Sequence, residues 1–295
     1  MKAKSIIFLF LLVGHLSWSA DSLNVKKRVI IASSVEVVGY GAMLYGLNQL
    51  WYADYPKSKF HFFNDNKEWL QMDKIGHAGS CYYFGRVGYE AIKWTGVKDR
   101  SAILWGGTTG FLYLTVIEAL DGFSAEWGAS PGDLIANTSG TLLFLSQQWF
   151  WNDQKIKPKF SFSPSPYAKY RPNLLGGSFI EQMLKDYNGQ TYWLSFRPED
   201  LFQKKVKWPI INLAIGYGAD GMIGGNHNPE VYNGQVMPYF ERTRSLYLGL
   251  DINWDKIPTN RKWLKRTFMV LDMVKVPSPT LYLNQSNLHW KWIYF

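Results

Sequence analysis

Ser130-Pro131-Gly132-Asp133-Leu134-Ile135-Ala136-Asn137-Thr138-Ser139-Gly140 opens a helix and sets two polar side chains on one face of it. Ser130 is a good N-cap, Pro131 suits the first helical position, and Asp133 stands where it closes a capping box. Asn137 follows one turn after Asp133 and faces the same way, with Gly140 at i+7. Two further pairs repeat the pattern: Asp73 with His77 at i,i+4, and Glu118 with Asp121 at i,i+3. All three lie among Ile, Leu, Phe, Trp and Gly. Helices packed on these faces would turn the acids, the imidazole and the amide towards a common interior. Buried acids need a partner, a proton or a metal.

Residues 20–152 therefore read as a helical bundle carrying the polar cluster. Its four helices are expected from about Lys26 to Trp51, from about Lys67 to Trp94, from just after Arg100 to about Leu120, and from Ser130 to about Trp151. Gly106 and Gly110 form a small-xxx-small pair that lets a neighbouring helix come close. Each helix is near bilayer thickness in length, yet each carries charged or amide groups, so none is a clean lipid-facing span. A polytopic bundle with an internal polar site and a bundle lying at a membrane both fit.

Residues 153–190 change character. Lys155–Pro172 is rich in Lys, Ser and Pro and reads as an irregular connector, with one short amphipathic helix over Phe179–Tyr187. From 191 to 295 the period switches to two. Leu246, Leu248, Leu250 and Ile252 alternate with Tyr247, Gly249, Asp251 and Asn253, and Leu288, Trp290 and Trp292 alternate with His289 and Lys291. Further strands are expected at Thr191–Phe196, Ile210–Tyr217, Thr267–Met273 and Thr280–Asn284. The fold class is thus α+β: an N-terminal, membrane-associated four-helix bundle followed by an antiparallel β region of about five to seven strands. The alternating strand that ends on Phe295 matches the way outer-membrane barrels end. The segment is nevertheless short for eight strands of roughly ten residues.

The 295 residues carry 14 Trp, 18 Tyr and 18 Phe, an aromatic share of 17% that suits a membrane interface. The net charge of +9 is not gathered in a Lys/Arg run, and no nucleic-acid motif is present, so anionic lipid is the expected partner and nucleic acid is not. Protein partners cannot be read from the chain. Lys2 and Lys4, the apolar run Ser5–Val13 and Ser17-Trp18-Ser19 give residues 1–19 the form of a signal peptide. Cys81 is the lone cysteine, so neither a disulfide nor an acylated N-terminal cysteine is expected, and Cys81 itself reads as core.

The candidate site is His77, Asp73, Glu118, Asp121, Asp133 and Asn137. Asp73 can orient His77 as a base or join it on a metal. Glu118, after the apolar run Phe111–Ile117 and close to a helix C-terminus, needs a proton, a cation or His77 to offset its burial. A divalent metal would take His77, Glu118 and Asp121 as ligands. Against these stand the ordinary readings: interhelical hydrogen bonds for the pairs, a turn for Asp121-Gly122 and a cap for Asp133. The Glu-x-x-His di-iron signature, the His-Glu-x-x-His zinc motif and the phosphate loop are absent from the sequence.

The run Asp73-Lys74-x-x-His77, Glu118-x-x-Asp121-Gly122 and Ser130-x-x-Asp133-x-x-x-Asn137-x-x-Gly140 resembles the family called domain of unknown function 2279, whose small members are YfiM-like predicted periplasmic lipoproteins. The resemblance is most specific over residues 67–148 and extends through the stretch from Leu184 to Trp193. A more distant similarity is to VanZ-like membrane proteins. What the resemblance implies is location: an exported cell-envelope protein, at the outer membrane or the periplasmic face. It supplies no reaction. The chain departs from the small form in its added β region and in the missing acylated cysteine. The functional expectation is an envelope protein whose buried cluster binds or hydrolyses a lipid or glycan. The alternative is a non-catalytic structural protein of the outer membrane.

Overall fold

The computed structural model describes residues 25–52, 55–201 and 210–295, so the signal peptide expected at 1–19 lies outside the described residues. Helices come first and an antiparallel sheet follows. The chain divides into two compact units: residues up to 65 with 77–154, and residues 66–76 with 155–295.

In the first unit α1 spans Val25–Leu47 and ends in a wider π turn at Asn48–Tyr52. Helix α2 spans Met72–Trp94, and its opening residues to Gly76 group with the second unit. Helix α3, Thr109–Asp121, follows a short helical lead-in from Asp99, and α4 spans Pro131–Trp151. The expected start of α4 is realised: Ser130 is extended and its Oγ accepts the Asp133 N–H at 3.1 Å. Small residues set the helix spacing. A Cβ on Gly106 would stand 2.4 Å from Gly88 O, one on Gly110 2.4 Å from Cys81 O, and one on Gly140 1.9 Å from Ala78 O. Each of these closest atoms is backbone, so none can yield by turning a side chain. Buried Cys81, Tyr113 and Leu114 form the core against which Tyr40, Met43 and Phe84 pack. Val25–Tyr52 and Asp99–Asp121 are long and apolar enough to cross a membrane, by length and composition alone.

The second unit holds six strands in the order β1-β2-β3-β6-β7-β8: Ile156–Phe162, Gln190–Phe196, Ile211–Asp220, Thr243–Ile252, Ser278–Asn284 and Asn287–Tyr294. All neighbours pair antiparallel. A two-stranded ribbon, β4 (Val231–Tyr232) with β5 (Gln235–Val236), stands apart. The sheet curls strongly: Tyr294 of β8 puts its hydroxyl 3.1 Å from Thr191 Oγ1 of β2, and Lys275, just before β7, donates its N–H to Phe160 O of β1.

Two sequence expectations need correction. Thr267–Met273 is not a strand, because α6 spans Lys262–Leu271. Its Thr, Phe, Met and Val satisfy a strand's composition, but Leu264, Phe268 and Leu271 recur at helical spacing and Phe268 packs on Trp254. Ile156–Phe162, read as irregular connector, is strand β1. Its lysines point inward to paired acids, which composition cannot reveal. The short helix expected at Phe179–Tyr187 is α5, Phe179–Lys185.

The two faces of the sheet have exchanged their usual roles. One register row runs Pro158, Leu194, Ile215, Leu248, Leu281, Trp290 across all six strands, and Leu194, Ile215, Leu248 and Trp290 are each 43–48% exposed. The adjacent row, Lys157, Ser195, Ala214, Gly249, Thr280, faces inward, where both Lys157 and Ser195 are fully buried. Charges inside are paired: Lys159 Nζ lies 2.7 Å from Asp251, and Lys157 Nζ lies 2.7 Å from Asp272. Ser195 Oγ donates to Asp251 Oδ2 at 2.6 Å, and Asn212 Nδ2 donates to Ser195 Oγ at 3.0 Å.

Candidate functional site

Three helices of the first unit present His77, Glu118, Asp133 and Asn137 to one another. Helix α2 carries His77, the last turn of α3 carries Glu118, and the first two turns of α4 carry Asp133 and Asn137. Gly140, one turn after Asn137, lets α4 press on the backbone of α2 at Ala78, next to His77. That close approach puts the short Asn137 side chain within reach of the imidazole.

His77 Nδ1 lies 3.0 Å from Asn137 Oδ1, and the Cys81 thiol also points to that oxygen at 3.4 Å. His77 Nε2 lies 4.0 Å from Asp133 Oδ1. Glu118 Oε1 stands 3.7 Å from His77 Nδ1. The side chains of His77, Glu118 and Asp133 are only 16%, 4% and 5% exposed.

Hydrogen bonds hold the carboxylates in place. Glu118 Oε2 accepts the Ser130 N–H at 3.0 Å, while Glu118 Oε1 is buried with no hydrogen-bond partner. Burial pushes the Glu118 carboxyl up to about 8; the His77 imidazole opposes that shift and the Asp133 carboxylate adds to it. Ser130 Oγ donates to Asp65. The segment leading to Asp65 runs beside Gly122–Ala129, with His61 N–H on Gly122 O at 2.9 Å and Phe63 N–H on Ala129 O at 3.0 Å.

The remaining expected residues sit differently. Asp121 accepts the Tyr52 hydroxyl at 2.6 Å, which ties the end of α3 to the π turn after α1. Asp73, one helical turn before His77, belongs to the second unit and accepts the Tyr187 hydroxyl there. Sequence reasoning did not find Asp65, Cys81 or Tyr52 as neighbours of the cluster. Asp65 lies in an Asn-Asp-Asn loop with no period to read, and Cys81 looked like plain core, although at i+4 from His77 it shares that residue's face.

Residues 61–146, which hold helix α2, helix α3 and the first four turns of α4, match the family described as predicted periplasmic lipoprotein, domain of unknown function 2279. The match spans every residue of the site, Asp73 and Asp121 included, and leaves the β strands outside it. The description is of an exported cell-envelope protein. No curated protein and no solved structure matches the chain.

Donor chemistry defines what the group can do. An imidazole and two carboxylates are ligands for a divalent transition ion. The contact of His77 Nδ1 with Asn137 is the kind of support that orients a metal-binding histidine. Without a cation, the same atoms can pass a proton between His77 and Glu118.

Proposed function

We propose that the chain is a cell-envelope protein whose helical unit holds one divalent cation at His77, Asp133 and Glu118, and that this site binds or hydrolyses a lipid or glycan headgroup. The observation that carries the reading is the convergence of three nearly closed-off side chains: His77 Nδ1 lies 3.7 Å from Glu118 Oε1, and His77 Nε2 lies 4.0 Å from Asp133 Oδ1. Asn137 acts as the positioning residue. Glu118, with its raised proton affinity, serves as a ligand once ionised or as a proton donor to a leaving group. The family description supports an envelope setting, and the outer membrane is the membrane we assign.

A second reading is favoured by a separate observation. Ser130 is bonded through its N–H to Glu118 and through its hydroxyl to Asp65 and the Asp133 N–H. In that reading the polar residues anchor the start of α4 in a non-catalytic structural protein.

Metal analysis of the detergent-extracted protein, wild type beside His77→Ala and Glu118→Ala, separates the two. One equivalent of metal in the wild type, lost in both variants, supports the cation site. Metal-free protein throughout, with both variants less stable, supports the structural reading.

A further inference from the structure

The second unit is built inside-out, and the inversion has a direct physical meaning. A sheet in water hides its apolar face and wets its polar one. Here the concave side buries Lys157, Lys159, Asp251 and Asp272 as ion pairs, while the convex side exposes the row Leu194, Ile215, Leu248 and Trp290. Flanking it, Leu246, Leu250 and Leu283 are 54%, 50% and 43% exposed. Interior polar groups with an apolar outer wall are the pattern of sheets whose solvent is hydrocarbon. The long strands fit that solvent: β3 and β6 have 10 residues each, and a strand crossing a bilayer needs about 9–11.

A second feature says which membrane surface. Helix α6 connects the end of β6 to the start of β7, and so lies at the rim of the curled sheet. It is short, basic and amphipathic. Arg261, Lys262 and Lys265 are exposed, and Trp263 beside them is 60% exposed. Basic residues next to an exposed Trp at the end of an apolar wall match an anionic headgroup layer lying over the acyl chains.

We infer that the convex face of the β unit sits in the hydrocarbon of an anionic bilayer, with α6 lying in its headgroup layer. The occupant is lipid. A second copy of the chain would cover the leucine row but would leave the basic, Trp-bearing rim without a counter-charge. The inference concerns the second unit and stands whether or not the helical unit binds a cation.

The test uses the full chain in a Cys81→Ser background, with a single cysteine introduced as Leu248→Cys, Leu194→Cys or Lys265→Cys and spin-labelled. Reconstitution is into vesicles of phosphatidylethanolamine and phosphatidylglycerol. Labels at 248 and 194 are expected to be open to dissolved oxygen and closed to a water-soluble nickel chelate, and the label at 265 to report the headgroup depth. Labels at 248 and 194 that stay open to the nickel chelate overturn the inference. So does spin–spin broadening that shows the face covered by a second copy. In the unlabelled chain, Lys262→Glu with Lys265→Glu is expected to weaken partition into these vesicles about tenfold or more and to leave partition into neutral phosphatidylcholine vesicles unchanged. Equal loss on both vesicle types removes α6 from the headgroup layer.

Discussion

His77 Nδ1 stands 3.0 Å from Asn137 Oδ1, and this contact sets the imidazole of α2 against α4. It holds the ring where Nδ1 lies 3.7 Å from Glu118 and Nε2 lies 4.0 Å from Asp133. Asn137→Ala is therefore expected to weaken divalent-cation binding ~10–100-fold, as loss of a supporting hydrogen bond does at other histidine ligands. Asn137→Asp, which keeps an acceptor at the same place, restores most of the affinity. Calorimetric titration with zinc or manganese measures both. A role for Asn137 in stability alone would lower the unfolding midpoint of the alanine variant and leave affinity where it was.

The raised proton affinity of Glu118 makes the cation-free protein sensitive to pH. The carboxyl goes from an ordinary value of 4.5 in the unfolded chain up to about 8 in the folded one, chiefly through burial. Between those values the folded state binds more protons than the unfolded state, so stability falls as pH rises from 4.5 to about 8. The contribution is fully present below the lower value. Thermal unfolding of the metal-stripped protein at pH 5 and pH 8 reads the slope, and Glu118→Gln is expected to flatten it. A saturating divalent cation is expected to reverse it, because ligation favours the ionised carboxylate.

Gly140 is where α4 touches the backbone of α2. Gly140→Ala puts a methyl 1.9 Å from Ala78 O, so the helices must part. The expected loss is about 1–3 kcal/mol of stability together with weaker cation binding, since Asn137 and His77 move apart with the helices. Denaturant unfolding and metal titration of the same variant check the two effects jointly.

Inside the sheet, Asp251 pairs with Lys159 and accepts from Ser195. Asp251→Ala leaves a buried lysine short of a partner and is expected to cost ~3–5 kcal/mol. On the opposite face Leu248→Ala is expected to stay within about 1 kcal/mol in detergent, because Leu248 is 43% exposed on the outer face. Equal losses at the two positions would contradict the inverted polarity of the sheet.

Much of the architecture was legible in the chain. Ser130-Pro131-x-Asp133 announced the start of α4 because capping is local chemistry, and the strands at 246–252 and 288–294 announced themselves by their period of two. Strand β1 did not. Lys157 and Lys159 look like solvent-facing charge until Asp251 and Asp272, about a hundred residues away, are brought beside them. Helix α6 was hidden by the opposite effect, since Thr267, Phe268 and Val270 favour strands locally and mask the helical recurrence of Leu264, Phe268 and Leu271, whose Phe268 packs on Trp254. In the site, the i,i+4 spacings put His77 and Asn137 on helix faces that meet. Nothing in the sequence showed that Asp121 would be taken by Tyr52, because that bond links residues 69 positions apart.

X-ray absorption at the edge of the bound ion is the most direct test of the cation site. The full chain is loaded with one equivalent of zinc and compared with His77→Ala. The account predicts one imidazole together with carboxylate oxygens around the ion in the wild type, and loss of the imidazole scattering in the variant. Zinc surrounded only by water or buffer oxygens, with the same spectrum in both proteins, would contradict it.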